Sequence, residues 1–164
     1  MQKKDIQFSV EVYGSSAELN AADGTLLDAA RKATSGAYAP YSNFQVGAVG
    51  QLANGVTVAG TNQENASYPV GICAERVLLS SVASQYPGIP VETIAVSYNN
   101  LGGDSSHPIS PCGICRQSLC EYEERMKHPI RLILSGMEGE VYIVETARNL
   151  MPLTFSSADM RGSK

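Results

Sequence analysis

Two cysteine-bearing segments constrain the fold of this chain most, because each lies where a helix is predicted to begin. The first reads CAER, over Cys73–Arg76, and the second reads PCGIC, over Pro111–Cys115. Cys112 and Cys115 are three residues apart, so in the first turn of a helix their sulfurs lie on one face and can share a metal ion. Cys73 supplies a third thiolate only if the two helices are neighbours on the same side of a sheet.

Hydrophobic periodicity predicts the strands and helices around these segments. Phe44–Leu52 and Val56–Thr61 flank Asn54-Gly55, the favoured two-residue turn of a β-hairpin. The other predicted elements are a half-buried strand over Ile6–Val12, a helix from Leu19 that closes near Gly36, a helix over Cys73–Tyr86, a strand over Thr93–Tyr98, a helix over Cys112–Lys127, strands over Ile130–Ser135 and Val141–Val144, and a short helix over Thr146–Leu150. This alternation predicts an α/β fold in which largely parallel strands extend the hairpin and helices cover the faces of the sheet.

Composition restricts the partners of the chain. Its 164 residues include 12 basic and 16 acidic side chains, a formal net charge of -4, with no basic run. Nucleic-acid binding is therefore disfavoured, since it requires a positive patch. No apolar stretch is long enough to cross a bilayer and no signal peptide is recognisable, so we expect a cytoplasmic protein with reduced thiols and no membrane partner. No repeat or long linker divides the sequence, which predicts a single domain over residues 1–164.

The cysteine spacing leaves two interpretations open. A CxxC pair at a helix N-terminus is also typical of thioredoxin-like redox centres, because the helix terminus lowers the pKa of a thiol. With Cys73 as a third ligand, the pair would instead form a zinc site with one open position, as catalytic zinc sites have. Cys120 lies eight residues beyond Cys112, roughly 12 Å further along a helix. It is predicted to be a buried apolar side chain and not a fourth ligand.

Two charged residues next to Cys73 fit the chemistry of a catalytic zinc site. Glu75 is placed to take a proton from a metal-activated water and pass it to a substrate. A glutamate standing alone in a first helical turn would more commonly complement the helix dipole. Arg76 is predicted either to donate hydrogen bonds to the thiolates and offset their charge or to face solvent.

The combination of CAER at 73–76 and PCGICRQ at 111–117 resembles the signature of the zinc-dependent cytidine deaminases of the small homotetrameric type. The resemblance extends from Tyr38 to Phe155 and includes YAPYSNFQVGA at 38–48, TNQENASYP at 61–69 and MPLTF at 151–155. It implies a three-layer α-β-α fold with a mixed sheet of about five strands. Relative to this family, residues 1–20 form an N-terminal extension and LGGDSSHP at 101–108 lengthens a loop.

The same resemblance implies the roles of individual residues. It implies Zn2+ held by Cys73, Cys112 and Cys115, with Glu75 as the catalytic acid and base and Arg76 beside the ligands. The substrate-binding residues that it implies are Phe44 against the pyrimidine ring, Asn62 and Glu64 at the ribose hydroxyls, the backbone of Ala74 and the carbonyl of Ser110 at the base and departing amine, and Tyr68 and Phe155 in the pocket of a neighbouring subunit. The active sites of a homotetramer would then be shared between chains.

The implied reaction is hydrolytic deamination of cytidine and deoxycytidine to uridine and deoxyuridine by a zinc-bound water, as in pyrimidine salvage. One alternative is a deaminase of a related aminopyrimidine nucleoside, such as blasticidin S, which would keep zinc and Glu75 but change the pocket. Another is a non-enzymatic zinc or redox CxxC protein, which would need no glutamate at position 75. His107, between Ser106 and Pro108, is predicted to be a loop histidine and not a ligand.

Overall fold

A computed structural model describes residues 1–160, and its central element is one six-stranded sheet. The strands are β1 (Glu11–Tyr13), β2 (Phe44–Leu52), β3 (Thr57–Thr61), β4 (Val91–Asn100), β5 (Arg131–Ser135) and β6 (Val141–Val144). The helices are α1 (Ala21–Ala33), α2 (Ala74–Gln85), α3 (Gly113–Met126) and the single turn α4 (Ser157–Met160). Short 3-10 turns cover Ser16–Glu18, Thr34–Gly36, Tyr68–Val70 and Ala147–Leu150.

The strands follow the order β1-β6-β5-β4-β2-β3 across the sheet. After α2, the chain returns to pair β4 with β2 in antiparallel fashion and not with β3. β4 and β5 form the one parallel pair within residues 1–160. The predicted α/β class with a mixed sheet is confirmed, but the sheet has six strands where about five were expected, and its parallel part is limited to this pair.

Alternation along the strands separates the helices into two layers. In β4, Ile94 and Val96 pack in the core beneath α2 and α3, whereas Ala95 between them packs in the core beneath α1. Because side chains alternate between the faces of a sheet with a period of two, Tyr98 lies on the same face as Ile94 and Val96. This face is the one that carries both cysteine-bearing helices.

The topology also explains why α2 and α3 begin at the same edge of the sheet. β2 is antiparallel to both of its neighbours, β3 and β4, so these two strands run in the same direction. α2 follows β3 and α3 follows β4, and both helices therefore start at the edge where these strands end. Ligand sites of open α/β sheets lie at this kind of edge.

The N-terminal strand is much shorter than its sequence pattern predicts. The prediction of a half-buried strand over Ile6–Val12 is wrong for residues 6–10, which have no regular structure, and Ile6 and Phe8 remain 49% and 45% exposed. In the part of the chain that the structure describes, β1 lies at the edge of the sheet and pairs with β6. Within residues 1–160, no helix combines the length and apolar character that crossing a membrane would require.

A buried carboxylate connects the end of α3 to the strand that follows it. Glu123 is 6% exposed and accepts hydrogen bonds from the backbone nitrogens of Ile130 and Ala147, at 2.7 and 2.9 Å, and from the Thr146 hydroxyl at 2.8 Å. Several donors converging on one carboxylate compensate for its loss of hydration. Glu123 thereby holds the Ala147–Leu150 turn against α3.

The first turn of α2 lies very close to β3 at Gly60. A Cβ atom at Gly60 would overlap the carbonyl oxygen of Ala74 and lie 2.5 Å from the backbone nitrogen of Leu78. Because the neighbouring atoms belong to the backbone, they cannot swing aside as the tip of a side chain can. Glycine at this position therefore determines how closely the start of α2, including Cys73 and Glu75, approaches the sheet.

Replacing Gly60 by alanine is expected to push the start of α2 away from the sheet. We expect a loss of about 1–3 kcal/mol or more in the free energy of unfolding, as for other overpacking substitutions, together with weaker metal retention. Gly24→Ala is the matched control, because nothing lies within 4 Å of a Cβ at that position of α1. Chemical denaturation and metal analysis measure both effects. Equal stability and metal content in the two variants would contradict the close approach.

Candidate metal centre and active site

Three thiols lie together at the starts of the two helices. The Cys112 sulfur is 3.8 Å from that of Cys73 and 3.5 Å from that of Cys115, and all three lie within 4.8 Å of one another. Zinc–thiolate bonds of about 2.3 Å place the sulfurs of a tetrahedral site about 3.8 Å apart. The three sulfurs therefore fit a single tetrahedral zinc ion whose fourth position is open.

Two helix N-termini converge on this thiol cluster. Cys73 is the N-cap residue of α2 and Cys112 is that of α3, and neither side chain caps its own helix. Both sulfurs are thus available as ligands, and the positive ends of the two helices point toward the cluster. Arg76 adds a positive charge that lowers the pKa of Cys73, although no hydrogen bond joins its guanidinium to a ligand sulfur in the described part of the chain.

The pKa values of the thiols favour binding of a cation by the cluster. Hydrogen bonding from the Cys115 thiol lowers the pKa of Cys73 to about 6. The pKa of Cys115 is raised, first because of its hydrogen bond to Cys73 and then because of burial. The Cys73 thiolate therefore forms readily while loss of the Cys115 proton is opposed, and a divalent cation is the partner that allows the sulfurs to be thiolates together.

Glu75 is the ionisable side chain best placed to move protons beside the cluster. It is only 5% exposed, and burial raises the pKa of its carboxyl, an effect that hydrogen bonding to its own backbone and to Cys115 partly offsets. A carboxyl group with a raised pKa exchanges protons more readily near neutral pH than an ordinary glutamate does.

A cavity of about 450 Å³ opens beside the thiols and Glu75, a volume within the usual range of roughly 300–1,000 Å³ for small-molecule sites. It is lined by Ser42, Phe44, Val46, Asn62, Glu64, Cys73, Ala74, Glu75, Ile109, Ser110 and Cys112. The cavity thus brings together all the residues that the sequence assigns to substrate binding within one chain. Three of the residues that line it, Ser42, Val46 and Ile109, were not predicted, because ordinary apolar and hydroxyl side chains have no distinctive sequence pattern.

The loop at 41–42 keeps Glu64 ionised and fixes its orientation. Glu64 accepts hydrogen bonds from the Ser42 hydroxyl at 2.5 Å and from the backbone nitrogens of Tyr41 and Ser42 at 2.9 and 3.3 Å. The Ser42 hydroxyl and these backbone groups lower the pKa of the carboxyl. A carboxylate can accept about four hydrogen bonds, so these three donors leave some of its lone pairs free for a ligand.

Asn62 is held by the backbone of β2. Its Oδ1 accepts from the Val46 nitrogen at 2.7 Å, and its Nδ2 donates to the Phe44 carbonyl at 2.9 Å. A second amide hydrogen and a second lone pair remain available, because a side-chain amide can make about four hydrogen bonds.

The two residues assigned to a neighbouring subunit lie outside this cavity. Tyr68 is 77% exposed and Phe155 is 59% exposed, and neither lines the cavity of its own chain. The Gln117 amide on α3 donates to the Phe155 carbonyl at 2.9 Å and so holds the C-terminal segment on the helix.

Arg116 fixes the backbone just before the second ligand, a function that the sequence did not reveal even though the residue belongs to the quoted motif. Its guanidinium donates to the carbonyls of Pro111 and Leu150, at 2.8 and 3.1 Å. Cys120 is 2% exposed and lies outside the metal-competent group that residues 1–160 form. His107 also lies outside this group, as predicted.

Three close thiols with an open fourth position, a buried carboxyl and an adjoining cavity define the site of a zinc hydrolase. A family model described as the cytidine and deoxycytidylate deaminase zinc-binding region matches residues 21–128, which include all three thiols. The chain belongs to this family, and its metal is zinc.

Known proteins that are similar to this chain align with most of its length. The crystal structure of cytidine deaminase from Burkholderia pseudomallei has a TM-score of 0.68 at 39% identity, over 80% of this chain and 97% of that one. The structure of the Mycobacterium leprae cytidine deaminase has a TM-score of 0.61 at 32% identity, over 78% and 95% of the two chains. The cytidine deaminase of Halalkalibacterium halodurans is 35% identical over 135 residues, which cover 82% of this chain and 95% of that relative.

Alanine substitutions should distinguish the cysteines that bind zinc from the neighbouring buried cysteine. We expect about one zinc per chain in the purified protein, as a single site with three thiolate ligands predicts, and loss of tightly bound zinc in Cys115→Ala. Cys120→Ala, on the same helix and also buried, should retain the metal. Elemental analysis after gel filtration makes the comparison. Zinc retention by the first variant or zinc loss by the second would contradict the assignment.

Proposed function

We propose that the chain catalyses the hydrolytic deamination of cytidine and deoxycytidine to uridine and deoxyuridine. The observation that carries this proposal is the buried Glu75 carboxyl beside three zinc-competent thiols, in a cavity large enough for a nucleoside. The names of the relatives at 32–39% identity, all cytidine deaminases, support the same substrate class.

In this reaction, zinc supplies Lewis acidity that lowers the pKa of the attacking water. Glu75 accepts a proton from this water and delivers it to the ring nitrogen, while the water oxygen bonds to the amino-bearing ring carbon. Glu75 then transfers the second water proton to the amino group, so that the carbon–nitrogen bond breaks and ammonia departs. The raised pKa of Glu75 supports this alternation between acid and base.

The remaining cavity residues support binding of a nucleoside over a free base. The ionised Glu64 retains acceptor capacity for a sugar hydroxyl, and Asn62, which lines the same cavity, can make one further donor and one further acceptor contact beyond its bonds to β2. Phe44 offers an aromatic ring for the pyrimidine. The Ser110 carbonyl and the Ala74 backbone are assigned to the departing amine and the base.

We further propose that the chain acts as a homotetramer whose active sites are shared between subunits. The exposure of Tyr68 and Phe155, two large aromatic side chains outside their own cavity, supports their insertion into the site of a neighbouring chain. Residues 1–164 are proposed to form one domain, with residues 1–20 as an N-terminal extension. A cytoplasmic location fits the absence of disulfides among the four cysteines.

Glu75→Gln is expected to abolish turnover without removing the metal. An amide of nearly the same shape cannot accept a proton, so kcat should fall by at least about 10²-fold, as when other general acid–base groups are removed. Ultraviolet absorbance follows cytidine consumption, and elemental analysis verifies the zinc content. Glu92→Gln, at an exposed position of β4, is the control. Activity of the Glu75→Gln protein would contradict the proton-transfer role.

A zinc-loaded native protein inactive on cytidine and deoxycytidine would overturn the proposed function.

Co-expression of Phe155→Ala with Glu75→Gln, two variants that are each expected to have little activity alone, tests the shared site. In a Phe155→Ala chain Glu75 is intact, and in a Glu75→Gln chain Phe155 is intact, so mixed oligomers should contain sites with both residues. We expect co-expressed chains to regain activity well above the sum of the separate variants, with mixed tetramers visible by native mass spectrometry. Mixed tetramers that gain no activity would show that each site is complete within one chain.

A further inference from the structure

The loop at residues 101–108 is anchored to the rest of the protein through Ser105 and Ser106. The Ser105 carbonyl accepts a hydrogen bond from the Met137 nitrogen at 2.8 Å, and the Ser105 hydroxyl accepts one from the Asn100 nitrogen at 2.8 Å. Gly136 and Gly139 leave no room for a Cβ atom, which would overlap the carbonyls of Ser105 and Ser106 respectively. This packing gives the side chains of the loop defined positions.

His107 is the residue of this loop that contacts Tyr98, and its own side chain remains 64% exposed. Tyr98 is 1% exposed, and its hydroxyl lies 3.2 Å from Nδ1 of His107. The two rings form an edge contact with centroids 5.8 Å apart, and the backbone of His107 also hydrogen-bonds to the Tyr98 oxygen. The Asp104 carboxylate also lies 3.2 Å from this Nδ1, within hydrogen-bonding distance of it. A buried hydroxyl without such a partner would be destabilising.

Tyr98 in turn supports the aromatic wall of the cavity. Val46 is the register partner of Tyr98, so Phe44, two residues from Val46, lies diagonally across the same face of the sheet. The rings of Phe44 and Tyr98 stack with centroids 4.8 Å apart and an interplanar angle of 13°. One face of the Phe44 ring is therefore covered by Tyr98, and Phe44 also lines the cavity beside Glu75.

We propose that Tyr98 and His107 are a pair of positioning residues that hold Phe44 in the orientation required for nucleoside binding. The proposal rests on the proposed function, because it assigns Phe44 to contact with the pyrimidine ring. It gives the 101–108 loop a role in substrate affinity through the chain of contacts His107–Tyr98–Phe44. Neither positioning residue lines the cavity itself.

This role predicts a specific division between the kinetic parameters. A base-stacking ring contacts the substrate equally in the ground state and the transition state, so disturbing it raises KM and leaves kcat nearly unchanged. His107→Leu removes the hydrogen-bonding imidazole and is expected to raise KM for cytidine about three- to tenfold. His107→Asn, which places an amide near the position of Nδ1, should recover most of the loss.

A double-mutant cycle with Tyr98→Phe tests whether the effect passes through the tyrosine hydroxyl. Tyr98→Phe keeps the stacked ring but removes the group that His107 binds, so His107→Leu should have little further effect in that background. Cytidine dissociation constants, measured by calorimetry with each variant combined with Glu75→Gln, report binding without turnover. These constants should change in parallel with KM.

The outcomes distinguish this inference from the proposed function. An unchanged KM and dissociation constant in His107→Leu, or independent and additive effects of the two substitutions, would overturn the pair. Equal loss of kcat in His107→Leu and His107→Asn would also overturn it, because that result indicates general disruption. If His107→Leu fails to fold, a wild-type KM in Tyr98→Phe is sufficient to reject the proposal. A native protein that binds cytidine with the predicted coupling but does not deaminate it would overturn the proposed function alone.

Discussion

The structure depends on holding three cysteine sulfurs within 4.8 Å of one another next to a buried glutamate. Repulsion between thiolates opposes this arrangement, and the Glu75 carboxyl adds to the negative charge. Two helix N-termini and the Arg76 guanidinium oppose that repulsion, and a zinc ion completes the compensation. Burial beside the thiols raises the pKa of Glu75, so the packing that forms the metal centre also prepares the group proposed to move protons.

Several remote contacts keep the two helices in place for this purpose. Antiparallel pairing of β2 with both neighbours brings the starts of α2 and α3 to one edge of the sheet. Gly60 then allows α2 to approach the sheet, whereas Arg116 fixes the backbone before Cys112. At the far end of α3, Glu123 anchors the Ala147–Leu150 turn. Arg116 donates a hydrogen bond to the Leu150 carbonyl of the same turn. The positions of the ligands are thus determined by contacts with distant parts of the chain.

Local patterns predicted the elements and ligands whose signal is contained within a short segment. The Asn54-Gly55 hairpin and the helices that start at the cysteines are of this kind, and their thiols meet as the spacing implies. Alternation over Ile6–Val12 was misleading, because a strand also needs a partner and residues 6–10 pair with no strand among residues 1–160. The Tyr98–His107 contact was not predictable from the sequence, since it depends on how the intervening loop packs. Family resemblance supplied the substrate roles that spacing alone left open.

Zinc K-edge X-ray absorption on the purified protein distinguishes a catalytic zinc site from a structural one, because it counts the atoms bound to the metal. We expect three sulfur neighbours at about 2.3 Å and one lighter atom, oxygen, in the fourth position. Four sulfur neighbours, with Cys120 or another thiol closing the site, would indicate a structural zinc centre. That result would contradict a catalytic centre built from Cys73, Cys112 and Cys115.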